Sequence, residues 1–138
     1  MERNTRQRQA VLGAIERAGR ALSPAEILAL AQPTVATLNL STIYRHLSGL
    51  QQTAQVVKVQ LAGQAARFEA ACEVRSDAGG HHHHHFHCSR CDGVYALHGC
   101  PGPMQDLAPA GFRVEAHELT LRGVCAACAV GADPGAAP

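Results

Sequence analysis

Apolar residues recur at helical spacing along the first fifty positions of the chain. A first helix is predicted over about residues 6–18, with Asn4 or Thr5 as its cap. A second helix is predicted in "SPAEILALAQP", where Ser23 is the N-cap and Glu26 completes a capping box. The apolar stripe of the first helix consists of Val11, Ala14, Ile15 and Ala18. Both helices therefore have a defined start and a face to bury.

The next pattern changes from helical to alternating. A third helix is predicted in "NLSTIYRHLSGLQQ", with Asn39 as its cap and Ile43, Leu47 and Leu50 on one apolar face. After it, "AQVVKVQL" and "ARFEA" are typical of two strands, joined by a turn that contains Gly63. Three helices followed by a β-hairpin predict a winged helix-turn-helix.

The second half of the chain is strand-rich. "GVYAL" and "FRVEAHELTLR" are typical of strands, whereas "PMQDLAP" allows only a short helical turn. The small and charged residues of "EVRSDAGG" indicate a linker. We therefore predict a winged-helix domain over residues 1–75, a hinge over 76–81, a second domain over 82–130 and a disordered tail over 131–138.

Charge and ligand-forming residues divide the chain in the same way. Residues 1–67 hold eight Arg or Lys and three acids, whereas residues 81–138 hold three Arg, five acids and eight of the nine His. The basic first half favours a nucleic-acid partner. Without an apolar run near the ~18 residues of a membrane span, or a signal-peptide core, we expect a cytoplasmic protein with no membrane partner. Reduced thiols are expected there, so the six cysteines favour metal binding over disulfides.

Two Cys-x-x-Cys units give the strongest chemical signal. Cys88 and Cys91 form the first, and Cys125 and Cys128 form the second. Each unit directs two sulfurs at one point, and two units complete a tetrahedral thiolate cage for zinc. Because four protein ligands leave no open position, the site predicted is structural. The alternative is a pair of dithiol redox motifs, but nothing thioredoxin-like surrounds them.

The histidine run in "HHHHHFHCSRC" is the second signal. Successive side chains of an extended chain point to opposite faces, so His83 and His85 can serve one metal while His82 and His84 serve another. Six further histidines and cysteines are candidate metal ligands: Cys72, His81, His87, His98, Cys100 and His117. The alternative is a solvated low-complexity tract that binds metal loosely.

The third helix carries the candidate DNA contacts. Ser41, Thr42, Tyr44 and Arg45 supply the hydroxyl and guanidinium groups that contact phosphates and base edges in a major groove. The alternative is that Tyr44 packs in the core and Arg45 is a solvated charge. Additional backbone contacts are available from Arg3, Arg6, Arg8 and Lys58.

Taken together, several motifs resemble the ferric/zinc uptake regulator family over about residues 4–130. They are "TRQRQAVL", "LSPAEIL", "STIYRHLSGL", "RFEA", "HHHHHFHCSRC" and "GVCAAC". The resemblance implies an α+β protein with an N-terminal winged-helix DNA-binding domain and a small C-terminal α/β dimerisation domain that holds structural zinc. It also implies a metal-loaded homodimer that represses genes by binding a palindromic operator in double-stranded DNA.

The resemblance also assigns metal ligands. It places structural zinc on the four cysteines of the Cys-x-x-Cys units, and a sensor metal on Cys72, His83 and His85, with Glu69 where iron-type members use a carboxylate. It assigns a second regulatory site to His82, His84 and His117. The acid expected near Pro103 is absent, so His98 or Cys100 would have to replace it. One structural and one or two regulatory zinc ions per chain are expected.

The soft thiolate of Cys72 favours zinc over ferrous iron, so the chain is most similar to the zinc-sensing members of the family. We therefore expect a zinc-responsive repressor of zinc uptake and homeostasis genes. An iron- or peroxide-sensing regulator and a His-rich metal storage or chaperone protein are the alternatives. An enzyme is not expected, because no H-E-x-x-H or similar motif accompanies the histidines. A small-molecule substrate is not expected either.

Overall fold

The chain folds into two compact units, residues 1–75 and 76–138. The computed structural model describes residues 2–71 and 84–130, so the predicted hinge and tail lie outside it. The first unit contains α1 (Glu2–Ala18), α2 (Pro24–Ala31), α3 (Leu40–Gln52), β1 (Val56–Val59) and β2 (Arg67–Ala70). The second contains β3 (His84–Cys88), β4 (Val94–Leu97), a 3-10 turn (Gln105–Leu107), β5 (Thr120–Gly123) and α4 (Ala126–Ala129). The predicted α+β class is confirmed, and no helix in the described ranges is long and apolar enough to cross a membrane.

In the first unit, the starts of the helices follow local chemistry in two cases out of three. The capping box of α2 is confirmed, since Ser23 Oγ accepts from the Glu26 N–H at 3.2 Å and the Ser23 N–H donates to Glu26 Oε1 at 3.0 Å. The cap of α3 by Asn39 is also confirmed. The predicted cap of α1 is wrong, because α1 begins at Glu2 and includes Asn4 and Thr5. Burial of Gln7 extends the buried face of α1 by a turn toward its start.

One hydrophobic core joins the three helices to the hairpin. Its fully buried aliphatic members include Val11, Ile15, Leu22, Ile27, Ile43, Leu47 and Leu50, and Phe68 of β2 packs with them. Leu22, between α1 and α2, exchanges two backbone hydrogen bonds of 2.8 Å with Phe68. β1 and β2 pair in antiparallel fashion, and Gly63 in their connection has the positive φ of 73° that favours glycine. The predicted winged helix-turn-helix is therefore confirmed.

The second unit is built on a three-stranded sheet of order β4-β3-β5. β3 runs antiparallel to β4, with His84 opposite Leu97, and parallel to β5, with Cys88 opposite Gly123. The starts of β3 and β5 and the end of β4 consequently share one end of the sheet. The end of β3, the start of β4 and the end of β5 share the other.

The strand predicted for "FRVEAHELTLR" is only partly correct, because only Thr120–Gly123 pairs with a neighbour. The backbone of the earlier part bonds a side chain instead. Gln105 Nε2 donates to the Phe112 carbonyl at 2.7 Å, and the Val114 N–H donates to Gln105 Oε1 at 2.9 Å. The short helical turn predicted in "PMQDLAP" is confirmed, and its Gln105 makes these bonds.

Candidate metal centres and nucleic-acid interface

The four cysteines of the Cys-x-x-Cys units meet at one end of the second sheet. Their sulfurs all lie within 4.8 Å of one another. Cys91 Sγ and Cys125 Sγ are 3.7 Å apart, close to the separation of about 3.8 Å expected for two sulfurs at 2.3 Å from a tetrahedral zinc. Cys88 ends β3 and is fully buried. The four sulfurs therefore fit a single tetrahedral ion, and a pair of separate redox dithiols does not describe this arrangement.

Backbone geometry holds the first Cys-x-x-Cys turn. The Asp92 N–H donates to the Cys88 carbonyl at 3.0 Å, and the Cys88 N–H donates to the Gly93 carbonyl at 2.9 Å. His87 Nε2 and Asp92 Oδ1 form a further short contact across the turn. A Cβ on Gly93 would lie 3.0 Å from the Tyr95 ring and 3.3 Å from Cys91 Sγ. His87, which the sequence left without a role, thus braces the turn that presents two of the sulfurs.

The charges of the thiols also fit a bound cation. Backbone N–H groups of Cys91 and Cys125 donate to Cys88 Sγ and lower the pKa of Cys88 to about 6. The neighbouring Cys125 thiol raises the pKa of Cys128 to about 12. Four adjacent sulfurs therefore resist complete ionisation on their own. A divalent ion would remove this repulsion, as expected for a thiolate site.

A second cluster lies at the opposite end of the same sheet. It contains His84, Cys100 and His117, whose ligand atoms all lie within 4.8 Å of one another. The Nε2 atoms of His84 and His117 are 3.1 Å apart, and Cys100 Sγ is 3.3 Å from His117 Nε2. His98, the other proposed replacement for the missing acid, is not a member of this cluster. His82 lies outside the described residues.

The sensor ligands are only partly described. Glu69 is buried in β2 of the first unit, where it pairs with Val57, and His85 is buried in β3 of the second. On β3, His85 lies on the face opposite His84, as the alternation of an extended chain predicts. Cys72, His83 and His81 lie outside the described residues. The sensor assignment stays a prediction.

The exposed face of α3 carries most of the predicted DNA contacts. Ser41, Tyr44, Arg45 and Ser48 are exposed at the i, i+3, i+4 and i+7 spacing of one helix face. Tyr44 is 54% exposed, so it does not pack in the core. Ser48 was missed as a candidate from the sequence, although its spacing from Ser41 is the available signal.

Thr42 differs from its three companions. Its side chain is buried, and its hydroxyl donates to Asn39 Oδ1 at 2.8 Å, which also accepts from the Thr42 N–H. Thr42 therefore belongs to the cap of α3 and holds the start of the helix.

The sequence pattern did not predict the buried contact between α1 and α3, in which His46 Nε2 lies 3.2 Å from Gln7 Oε1. Gln7 Nε2 in turn donates to Thr37 Oγ1 at 3.3 Å.

The basic side chains near α3 differ in what they contact. A cleft of about 360 Å³ beside the start of α3 has both Arg3 and Arg45 in its wall. Lys58 is exposed on β1. Arg8 instead donates to Thr53 Oγ1 at 3.0 Å and Gln55 Oε1 at 3.2 Å, so its guanidinium holds the end of α3. Arg6 lines a second cleft with Arg3.

Comparison with known proteins places this architecture in a family. The sequence matches the family model described as the Ferric uptake regulator family over residues 2–122. No curated protein sequence matches. Similar solved structures include a zinc-bound manganese uptake regulator, at TM-score 0.67 and 21% identity over 86% of this chain and 87% of that chain. The Helicobacter pylori ferric uptake regulator is similar at TM-score 0.59 and 21% identity, over 89% and 79%.

A zinc uptake regulator complexed with zinc and DNA is also similar, at TM-score 0.58 and 26% identity over 90% of this chain and 81% of that chain. The family match spans well over half of the sequence, and it covers nearly all of the first unit and residues 76–122 of the second. The resemblance seen in the sequence motifs is thereby confirmed. The chain belongs to the ferric uptake regulator family.

Proposed function

We propose that this chain is a zinc-responsive transcriptional repressor, which binds palindromic operator DNA as a metal-loaded homodimer and controls zinc uptake and homeostasis genes. Members of its family are transcription regulators rather than enzymes. The observation that carries the proposal is the exposed polar face of α3 in a basic unit, on the same chain as two clusters of metal-ligating side chains. The similar zinc uptake regulator bound to zinc and DNA supports it further.

α3 is the proposed recognition helix. Ser41, Tyr44 and Arg45 project from a helix whose opposite face is locked in the core, so their positions are set by the fold. In a major groove, an arginine can bond two acceptors of guanine, while hydroxyls reach phosphates or bases. Arg3 and Lys58 would add phosphate contacts from α1 and the hairpin. In a homodimer, two such helices would reach successive major grooves, roughly 34–36 Å apart.

Zinc is the proposed metal because of the ligand chemistry. Four thiolates at one end of the second sheet suit a structural zinc ion, which would fix the fold of that unit. The sensor ligands proposed from the family resemblance are Cys72, His83 and His85, with Glu69 as a fourth candidate. A thiolate among them favours zinc over ferrous iron.

Regulation would follow from zinc bound at the proposed sensor ligands Cys72, His83 and His85. Occupancy of that site would restrict the freedom of the recognition helices and so raise DNA affinity. By linkage, zinc would tighten DNA binding by the same factor that DNA tightens zinc binding, about 1–3 kcal/mol or roughly 5–150-fold.

An iron- or peroxide-sensing role is the second candidate. One observation favours it, namely that Glu69 provides a buried carboxylate in β2, a ligand suited to ferrous iron. A storage protein is less favoured, because it would not require a capped winged-helix unit. An enzyme is also less favoured, because it would require an open metal-coordination position beside a general base.

The deciding experiment measures DNA binding with each metal. Operator duplexes are first enriched from a random-sequence library by the zinc-loaded protein, and affinity is then followed by fluorescence anisotropy with zinc, with ferrous iron and with a chelator. We expect zinc to tighten binding by roughly 5–150-fold and to do so more than iron. DNA binding that does not depend on zinc would refute the proposal, and a response confined to iron would favour the second candidate.

A further inference from the structure

The end of the second sheet that lies opposite the four cysteines contains Cys100, one of the two residues that could replace the acid missing from the second regulatory site. His84 begins β3, Cys100 lies three residues beyond the end of β4, and His117 lies three residues before β5. Because β4 is antiparallel and β5 parallel to β3, these three positions emerge at the same end of the sheet. The topology, and not their order in the sequence, brings them together.

We propose that Cys100 is a protein ligand of a second metal centre, together with His84 and His117, and that its thiolate makes this centre selective for zinc-like ions. The inference rests on the proposed function, because it names the missing ligand of the second regulatory site that the family resemblance assigns to His82, His84 and His117. It replaces the carboxylate expected near Pro103 with sulfur, and it leaves His98 outside the first coordination sphere.

The distances support one ion bound by all three atoms. In a tetrahedral zinc site, two imidazole nitrogens are separated by about 3.3 Å, and a nitrogen and a sulfur by about 3.5 Å. The observed separations are 3.1 Å for the His84 and His117 Nε2 atoms and 3.3 Å for His117 Nε2 and Cys100 Sγ. For these two pairs, shifts of a few tenths of an ångström would suffice for coordination, and Cys100 Sγ lies within 4.8 Å of the ligand atom of His84.

The burial of the ligands supports a preformed site. His84 is only 2% exposed and its ring stacks on that of His117, with the centroids 4.9 Å apart and the planes at 29°. Cys100 is exposed and lies on the outer side of the cluster. Two imidazoles are thus held by the fold, while the thiol closes the site from the surface, where an ion can enter.

The donor set predicts which ions bind. Two imidazoles and a thiolate favour zinc and cobalt, whereas manganese and magnesium prefer carboxylate and other oxygen ligands. The cluster formed by the described residues contains no carboxylate. A relative with an acid at this position would accept such hard ions more readily. Cys100 would therefore narrow the response of this protein to zinc.

Cobalt(II) provides the test, because a thiolate bound to cobalt gives a near-ultraviolet charge-transfer band that imidazole ligands do not give. The full-length protein carries Cys72→Ser, which removes the thiol proposed for the sensor site, and its four-cysteine cluster is first filled with zinc. Cobalt is then added without DNA. We expect the band to develop as cobalt binds, while zinc is retained.

Adding Cys100→Ser to this background should abolish the band and weaken cobalt and zinc binding at the second centre. Loss of an indirect partner of a metal ligand typically costs 10–100-fold in affinity, so loss of a direct ligand should cost at least about tenfold. His98→Gln is the matched control and should retain the band. Because Cys100 is exposed, its replacement should leave the circular dichroism spectrum unchanged.

Three results would overturn the inference: a band of equal strength with and without Cys100, loss of metal binding in His98→Gln but not in Cys100→Ser, or no cobalt binding beyond the zinc-filled cluster. The proposed repressor function is judged separately, by the effect of zinc on DNA affinity in the unsubstituted protein. Failure of one is therefore distinguishable from failure of the other.

Discussion

The sulfur atoms of Cys91 and Cys125 lie 3.7 Å apart, although 34 positions separate the two residues in the chain. Cys91 belongs to the turn between β3 and β4, and Cys125 lies two residues after the end of β5. The same two segments are joined by Ser89, whose N–H and hydroxyl both donate to the Gly123 carbonyl. A metal held by the cysteines would therefore link the turn between β3 and β4 to the segment that follows β5.

Cys88→Ser tests this connection. Structural zinc contributes about 10–16 kcal/mol in small zinc-binding peptides, an amount comparable to the whole stability of a folded domain, about 5–15 kcal/mol. We expect the variant to lose one zinc ion per chain and the second unit to lose protection against amide hydrogen exchange. His98→Gln is the control and should retain both, because His98 belongs to neither cluster. A Cys88→Ser protein with unchanged exchange in β3 would contradict a structural role for the site.

Cys72→Ser tests the sensor assignment. Because the four-cysteine cluster does not involve this residue, we expect the variant to keep its structural zinc and the fold of both units. Zinc-dependent DNA binding should weaken toward the affinity of the chelator-treated protein. Metal analysis and anisotropy on the enriched duplex measure the two properties in parallel. An unchanged zinc response would remove Cys72 from the sensor site.

Arg45→Ala tests the recognition helix. Loss of an arginine that bonds a base should weaken operator binding by about 1–3 kcal/mol and relax specificity at one position. Zinc content should not change, since Arg45 lies in the first unit and outside both clusters. Arg17→Ala removes an equal charge from the last turn of α1 and should weaken binding much less. Equal losses in the two variants would indicate only a general effect of charge.

His46 should make the stability of the first unit depend on pH. Burial, reinforced by Arg45 and Arg8, lowers the pKa of His46 below its ordinary value of 6.5. The unfolded chain therefore binds the proton more readily than the folded chain does. Stability is complete above about pH 6.5 and decreases as pH falls from there toward the lower folded pKa.

His46→Gln isolates this effect. The glutamine removes the titrating group, while the metal sites and the other histidines are common to both proteins and cancel in the comparison. Unfolding in urea is followed by amide exchange in α3. As pH falls from about 7.5 to about 5.5, the free energy of unfolding should decrease less for the variant than for the unsubstituted protein. Parallel curves for the two proteins would show that His46 does not titrate as proposed.

Local chemistry made much of the first unit predictable. The capping box of Ser23 and Glu26 and the cap at Asn39 act within a single helical turn, so their sequence signals suffice to place α2 and α3. The winged-helix order and the four-cysteine cluster followed from patterns and spacing in the same way. The start of α1 did not, because the helix continues through Asn4 and Thr5, the residues expected to cap it.

The sequence by itself determined the fold class, the family and the candidate cluster of four cysteines, since capping, periodicity and Cys-x-x-Cys turns are local properties. Only the tertiary structure decided that Cys100, and not His98, joins His84 and His117. It also decided that Gln7 of α1 contacts the buried side chain of His46 in α3. The physical reason is that strand register and helix packing set these contacts. Both arise from side chains distant in the sequence that bury one another.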